Sequence, residues 1–154
     1  MQPVGARSIV FDTKFLGEST GDAAGYWVAG AGDVDGDGLQ DLLITAESED
    51  SGGSAAGATY LVLSSSLGSD TELDLSDADY KFVGEGNKDE SGYSVSLIGD
   101  VNGDGYEDFY VSAIGDNTLG GSNSGSVFLV HGSATLDADV NGLDMDSVMA
   151  AQVY

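Results

Sequence analysis

The chain has no cysteine, a single proline and, among 154 residues, only four basic side chains: Arg7, Lys14, Lys81 and Lys88. Without cysteine there is neither a disulfide framework nor a thiolate zinc site, and the redox compartment leaves no trace in the sequence. Nucleic acid and anionic lipid surfaces bind through clustered Lys and Arg, so four scattered cations argue against both as partners. No apolar run approaches the roughly 18 residues of a membrane span, and no membrane insertion is expected. The start, Met1-Gln2-Pro3-Val4-Gly5, lacks the charged-then-apolar shape of a secretory signal. The expectation is a mature chain that begins later in a precursor, or a piece of a longer protein.

What is abundant is acid. Twenty-seven Asp and Glu residues give a formal net charge of −23, and a single domain with that much self-repulsion needs counter-ions to stay compact. Cations are therefore the first partner to expect. Solubility in a salty environment accounts for part of the surplus, but not for its concentration in two loops. An apolar share of 41% is enough for a packed core.

The chain is two copies of one unit. Phe15-Leu16-Gly17-Glu18 returns as Phe82-Val83-Gly84-Glu85, and Gly25-Tyr26-Trp27-Val28 returns as Gly92-Tyr93-Ser94-Val95. Gly32-Asp33-Val34-Asp35-Gly36-Asp37-Gly38 returns as Gly99-Asp100-Val101-Asn102-Gly103-Asp104-Gly105, and all three pairs stand 67 residues apart. Gly57–Val62 matches Gly125–Val130 one residue out of step, so the copies differ by a single loop insertion. A repeat of this kind is one supersecondary unit that buries its faces against its neighbours.

Short runs rich in Val, Ile, Tyr and Phe, bounded by Gly, Ser, Asn and Asp, predict strands and no helix. The expected strands are Tyr26–Ala29, Leu42–Ala46, Thr59–Leu63 and Tyr80–Val83 in the first copy. The second copy offers Tyr93–Ile98, Phe109–Ala113, Val127–His131 and a last segment near Val148–Tyr154. Leu42-Leu43-Ile44 and Tyr60-Leu61-Val62-Leu63 are continuous apolar runs, which predicts sheets covered on both faces, as stacked propeller blades are. The Gly/Ser stretches 50–54 and 120–124 read as mobile loops. Trp27 reads as a core residue.

The chemistry lies in the repeated acidic loops. In Asp33–Asp41, side-chain oxygens fall at loop positions 1, 3, 5 and 9 (Asp33, Asp35, Asp37, Asp41), and the Leu39 carbonyl is available at position 7. Calcium takes about six to eight hard oxygen ligands, and Gly38 at position 6 permits the sharp turn that lets alternating side chains converge. The second loop repeats the pattern with Asp100, Asn102, Asp104, the Tyr106 carbonyl and Asp108. An EF-hand would need Glu at position 12 and flanking helices, whereas Ile44 and Val111 stand there within strands. Without an ion, charges about 4 Å apart repel by about 4 kcal/mol at an effective dielectric near 20. Two calcium sites follow, one built by each copy and separable from the other. A third acidic stretch, Asp137–Asp144, carries Met145 at position 9 and is expected to form no site.

These motifs resemble the FG-GAP repeats of integrin α-subunit β-propellers and their bacterial relatives. In that family a Phe-Gly type pair opens the blade, a D-x-D-x-D-G-x-x-D loop joins its first two strands, and Gly-Ala-x-Tyr-Val leads the third. Here the elements are Leu16-Gly17 and Val83-Gly84, the two aspartate loops, and Gly57-Ala58-Thr59-Tyr60-Leu61, within about residues 11 to 133. The Gly-Ala-Pro that follows the second strand in the family is replaced by Thr45-Ala46-Glu47 and Ala113-Ile114-Gly115. The resemblance implies an all-β chain of two blades of about four antiparallel strands each. Residues 15–83 form repeat 1, 84–154 form repeat 2 with a terminal strand, and 1–14 form the outer strand of a preceding or exchanged blade. Propellers close with about four to eight blades, so two belong to a larger propeller or to one completed by self-association through terminal strands.

By the same resemblance the chain is a calcium-structured recognition or adhesion module at the cell surface or outside the cell, with a protein or glycan ligand. The rival is a non-catalytic scaffold or glycan-binding portion of a larger secreted enzyme. Catalysis by these residues is not expected: His131 is the only histidine, it stands at a strand end, and the carboxylates that would act as acid and base are those assigned to calcium.

Overall fold

The computed structural model describes residues 13–68, 71–117, 122–136 and 143–144. The first copy folds as a four-stranded antiparallel meander: β2 (Ala24–Gly32), β3 (Asp41–Ala46), β4 (Ala58–Val62) and β6 (Tyr80–Val83) pair in sequence order. The second copy forms the corresponding sheet from β7 (Ser91–Gly99), β8 (Asp108–Ala113) and β9 (Ser126–Val130). Its expected fourth strand, near Val148–Tyr154, lies outside the described residues. A two-residue strand, β10 (Leu143–Asp144), runs parallel to β6 at the outer edge of the first sheet.

Of the N-terminal segment expected to form an outer strand, the structure describes only Thr13 and Lys14. Strand β1 (Lys14–Leu16) pairs in parallel with β5 (Glu72–Asp74), inside the connection between β4 and β6 of its own copy. That connection offers a strand edge to pair with, and the Lys14 ammonium reaches Glu72 Oε1 at 3.3 Å across it. Residues 1–12 lie outside the described set.

Alternation along the strands decides what each face buries. Leu43, Leu61 and Phe82 of the first sheet meet Val95, Phe109, Val111 and Val130 of the second, and the Phe82 and Phe109 rings pack edge-on at 5.7 Å. Ile44, Tyr60 and Val62 point the other way, onto Leu75 and Phe15 of the connecting segment. Both faces of the first sheet are thus covered, which is why its central strands read as unbroken apolar runs. Among the described residues the second sheet is covered on one face only, and Tyr110 and Val127 stand exposed on the other.

Each sheet departs from regular pairing twice, at matching places. The register of β2 on β3 shifts between Ala24 and Val28, where Thr45 Oγ1 accepts the Trp27 N–H at 3.0 Å. In β7 the shift falls between Ser91 and Ser94, and Ser112 Oγ accepts the Ser94 N–H at 2.9 Å. The second shift falls just before the acidic loops, at Gly30/Gly32 and Leu97/Gly99. Bulges of this kind re-aim the chain, and here they set the hairpin loops that carry the carboxylates. Among the described residues no helix is long and apolar enough to cross a membrane.

Candidate metal centre

Both acidic loops join the first two strands of a blade, and both curl through the same hydrogen bonds. The position-1 carboxylate accepts the position-6 N–H: Gly38 to Asp33 Oδ2 at 3.0 Å, and Gly105 to Asp100 Oδ2 at 2.9 Å. Position 3 accepts from position 5, Asp37 N–H to Asp35 Oδ1 at 3.1 Å and Asp104 N–H to Asn102 Oδ1 at 3.0 Å. Position 5 accepts from position 7, Leu39 N–H to Asp37 Oδ1 at 2.7 Å and Tyr106 N–H to Asp104 Oδ1 at 3.0 Å. Gly38 and Gly105 make the turn at φ +89° and +97°, the left-handed region where a Cβ is strained. Alternate side chains are thereby folded back over one centre.

Asp33, Asp35 and Asp37 are brought together: each offers an oxygen within 4.8 Å of the others. Asp33 Oδ1 is buried without a hydrogen-bond partner. An unpaired buried carboxylate oxygen beside two more carboxylates is what a hard divalent cation would satisfy, so the first loop fits calcium. The second loop does not gather three carboxylates, because position 3 is Asn102, whose Nδ2 donates to Asp104 Oδ2 at 2.8 Å. Asp100 lies against the Gly105, Gly103 and Asp104 N–H groups, with Gly105 the strongest influence, and they hold its carboxyl below the ordinary aspartate value.

Position 9 takes a different place from positions 1, 3 and 5. Asp41 is fully buried at the start of β3, outside the three-carboxylate cluster. Its Oδ2 accepts the Val34 N–H and its Oδ1 the Ser64 N–H, each at 2.9 Å. Asp108 repeats this, with the Val101 N–H on Oδ2 at 2.8 Å and the Gly132 N–H on Oδ1 at 2.9 Å. Both carboxylates therefore pin the loop base to the chain beyond the third strand. Burial pushes the Asp41 carboxyl above its ordinary range, opposed by the Ser64 and Val34 N–H groups, while the charges of Asp35 and Asp37 add to the upward push. Each oxygen keeps a second lone pair, the only one left for an ion.

His131 follows β9 with Nδ1 3.3 Å from Asp108 Oδ2, outside hydrogen-bonding geometry. It borders the loop base through this approach to Asp108. Trp27, expected in the core, is 47% exposed on β2, beside Tyr26, whose ring lies 5.6 Å from that of Tyr93. The third acidic stretch, Asp137–Asp144, falls almost wholly outside the described residues.

One contact is not visible in the sequence. Glu107, at position 8 of the second loop, accepts the Asp33 N–H on Oε2 at 3.1 Å, and its own N–H donates to the Asp33 carbonyl at 3.1 Å. The available signal is the difference between the copies at positions 7 and 8, Leu39-Gln40 against Tyr106-Glu107.

The FG-GAP repeat family model matches residues 24–62 and 91–130. Integrin alpha-PS2 of Drosophila melanogaster is 38% identical over 125 residues, a segment that covers 78% of this chain and 8% of that protein. The chain thus spans a small fraction of the length of this relative. Each matched segment runs from the first strand of a sheet through its aspartate loop to the third strand, and on that correspondence the chain belongs to the FG-GAP repeat family, whose repeats form β-propeller blades.

Proposed function

We propose that the chain is a calcium-structured recognition or adhesion module, exposed at the cell surface or outside the cell, in which the ion holds the hairpin loops of two blades. The observation that carries this reading is the convergence of Asp33, Asp35 and Asp37, together with the buried Asp33 Oδ1 that has no hydrogen-bond partner. Asp33, Asp35, Asp37 and the Leu39 carbonyl would hold the first ion, with Asp41 at the base. Asp100, Asn102, Asp104, the Tyr106 carbonyl and Asp108 would hold the second, with one carboxylate fewer. A bound divalent cation neutralises charge that the loop otherwise concentrates, and it orders a segment whose own hydrogen bonds are mostly local. Extracellular modules often bind calcium at about 10⁻⁴ to 10⁻³ M, which suits that location.

The test is thermal melting of the chain in calcium and in chelator. Ions that bind only the folded state stabilise by mass action, so calcium is expected to raise the midpoint, and magnesium, which resists dehydration, to replace it poorly. Superimposed curves would reduce the loops to ordinary turns.

The rival reading, a scaffold or glycan-binding part of a larger secreted enzyme, is favoured by the exposed aromatic surface of Tyr26, Trp27 and Tyr93. Binding screens against glycans and matrix proteins, with and without calcium, separate the two. Completion of a propeller by further repeats or further copies is supported by the second sheet's face that stands uncovered among the described residues, with Tyr110 and Val127 exposed. Native mass at high micromolar concentration tests the version with further copies.

A further inference from the structure

We propose that the two ion loops are energetically coupled, with Glu107 and Tyr106 of the second loop acting as positioning residues for the ion site of the first. The inference rests on the calcium reading above. Asp33 opens the first loop, and both of its backbone polar groups are held by Glu107, 74 residues away: the N–H by Oε2 and the carbonyl by the Glu107 N–H. The neighbouring side chain closes the same approach. A Cβ on Gly36 would lie 2.6 Å from Cε1 of the Tyr106 ring, and one on Gly32 would lie 1.6 Å from Glu107 Oε2. The second loop is therefore seated in the space left by two glycines of the first.

The position of these residues turns contact into coupling. Tyr106 and Glu107 lie between Asp104 and Asp108, and the Tyr106 carbonyl belongs to the second donor set. An ion that draws on this stretch restrains the same residues whose side chains grip Asp33 and Gly36. The second loop supplies its own comparison: Gly99 and Gly103 occupy the corresponding places, and a Cβ on either would meet nothing within 4 Å. The grip is made once among the described residues, by the second loop on the first. Coupling of two binding equilibria is reciprocal, so each ion strengthens the other by the same factor.

Calorimetric titration of the full chain with calcium chloride tests this. Asp104→Ala leaves the first loop to bind alone, and Asp35→Ala leaves the second. The product of the two association constants of the unaltered chain is expected to exceed the product of the two isolated constants by about fivefold or more, the usual range of coupling between sites. The same titrations in a Glu107→Ala background are expected to bring that ratio to about one. Glu107→Gln keeps an acceptor for the Asp33 N–H and is expected to preserve the coupling. In the calcium-free chain, hydrogen exchange at the Asp33 amide is expected to quicken in Glu107→Ala and not in Glu107→Gln. A ratio of about one in the unaltered chain overturns the coupling and leaves the calcium reading standing. Coupling that survives Glu107→Ala overturns the role of Glu107, and absence of any calcium binding by the unaltered chain overturns both readings.

Discussion

Replacing Asp41 by alanine separates two roles that position 9 of the loop can hold. If Asp41 were only an ion ligand, its removal from the calcium-free chain would relieve repulsion from Asp35 and Asp37 and leave stability equal or higher. The structure assigns it hydrogen bonds that exist without an ion: Val34 N–H on Oδ2 and Ser64 N–H on Oδ1, with Asp41 and Val34 both fully buried. Alanine leaves these two donors without an acceptor, and an unsatisfied buried donor costs about 1–3 kcal/mol. The Ser64 donor is only partly buried, and the substitution also removes a desolvated charge, so the expected net loss is about 2–4 kcal/mol. Urea unfolding of Asp41→Ala in chelator measures it, and Asp108→Ala, which strands the Val101 and Gly132 N–H groups, repeats the experiment in the second blade. Asparagine at position 41 retains one acceptor oxygen and is expected to lose about half as much. Calcium-free stability within about 0.5 kcal/mol of the unaltered chain, in both alanine variants, would refute the pinning role.

The pH dependence of stability is expected to change sign with calcium. Burial raises the carboxyls of Asp22 and Asp41 in the folded chain, so without the ion their contribution grows as pH falls through the raised values toward the unfolded value near about 4, and is lost as pH rises. Asp100, held low by loop N–H groups, runs the other way and loses its contribution only as pH falls through its depressed folded value. In calcium, protons compete with the ion for the loop carboxylates, so melting temperature is expected to fall on mild acidification where the calcium-free chain gains; parallel profiles would contradict this. Lys81→Met is expected to cost about 3 kcal/mol in urea unfolding, since it leaves Glu18 and the buried Glu49 without the ammonium that both touch, at 2.9 and 3.0 Å. A cost below about 1 kcal/mol would make that pair a surface contact in energetic terms. Gly84→Ala places a Cβ 2.1 Å from the Ala56 carbonyl oxygen, where the Gly84 N–H already bonds Gly57, and is expected to destabilise by about 3 kcal/mol by thermal melting; an unchanged midpoint would show that the blade junction yields.

Patterns that repeat within a copy are legible in the chain itself, because local spacing carries them. The alternation Leu43/Ile44 and Leu61/Val62 puts one residue of each pair in either core, and the apolar runs already imply two covered faces. The loop glycines and the aspartates at positions 1, 3 and 5 are likewise set by short-range geometry. What escapes involves partners far along the chain. The Gly/Ser stretch at 50–54 reads as a mobile loop, yet Ser54 N–H donates to Asn87 Oδ1 at 2.7 Å. Asn87 belongs to the second copy, so nothing within the stretch could announce it. Trp27 lies outside its expected core for a related reason: the shift in register at the start of β2 changes which residues of the strand face inward, and a shift is invisible to a count of alternation.

The same distinction bears on how a repeat acquires function. An isolated copy contains every residue of one donor set, and from sequence each ion site looks complete within its own blade. In the fold, the backbone of Asp33 is held by Glu107 across 74 residues, while Asp41 and Asp108 reach Ser64 and Gly132 beyond the third strand of their own sheets. Each loop base is therefore anchored to its whole blade, and the first loop is anchored to the next blade as well. Excising residues 15–83 would leave the first loop with all its proposed ligands but without Glu107 and Tyr106. Lower calcium affinity in that excised repeat than in the first loop of the full chain is what inter-blade support requires, since neighbour interfaces carry much of the stability of stacked repeats.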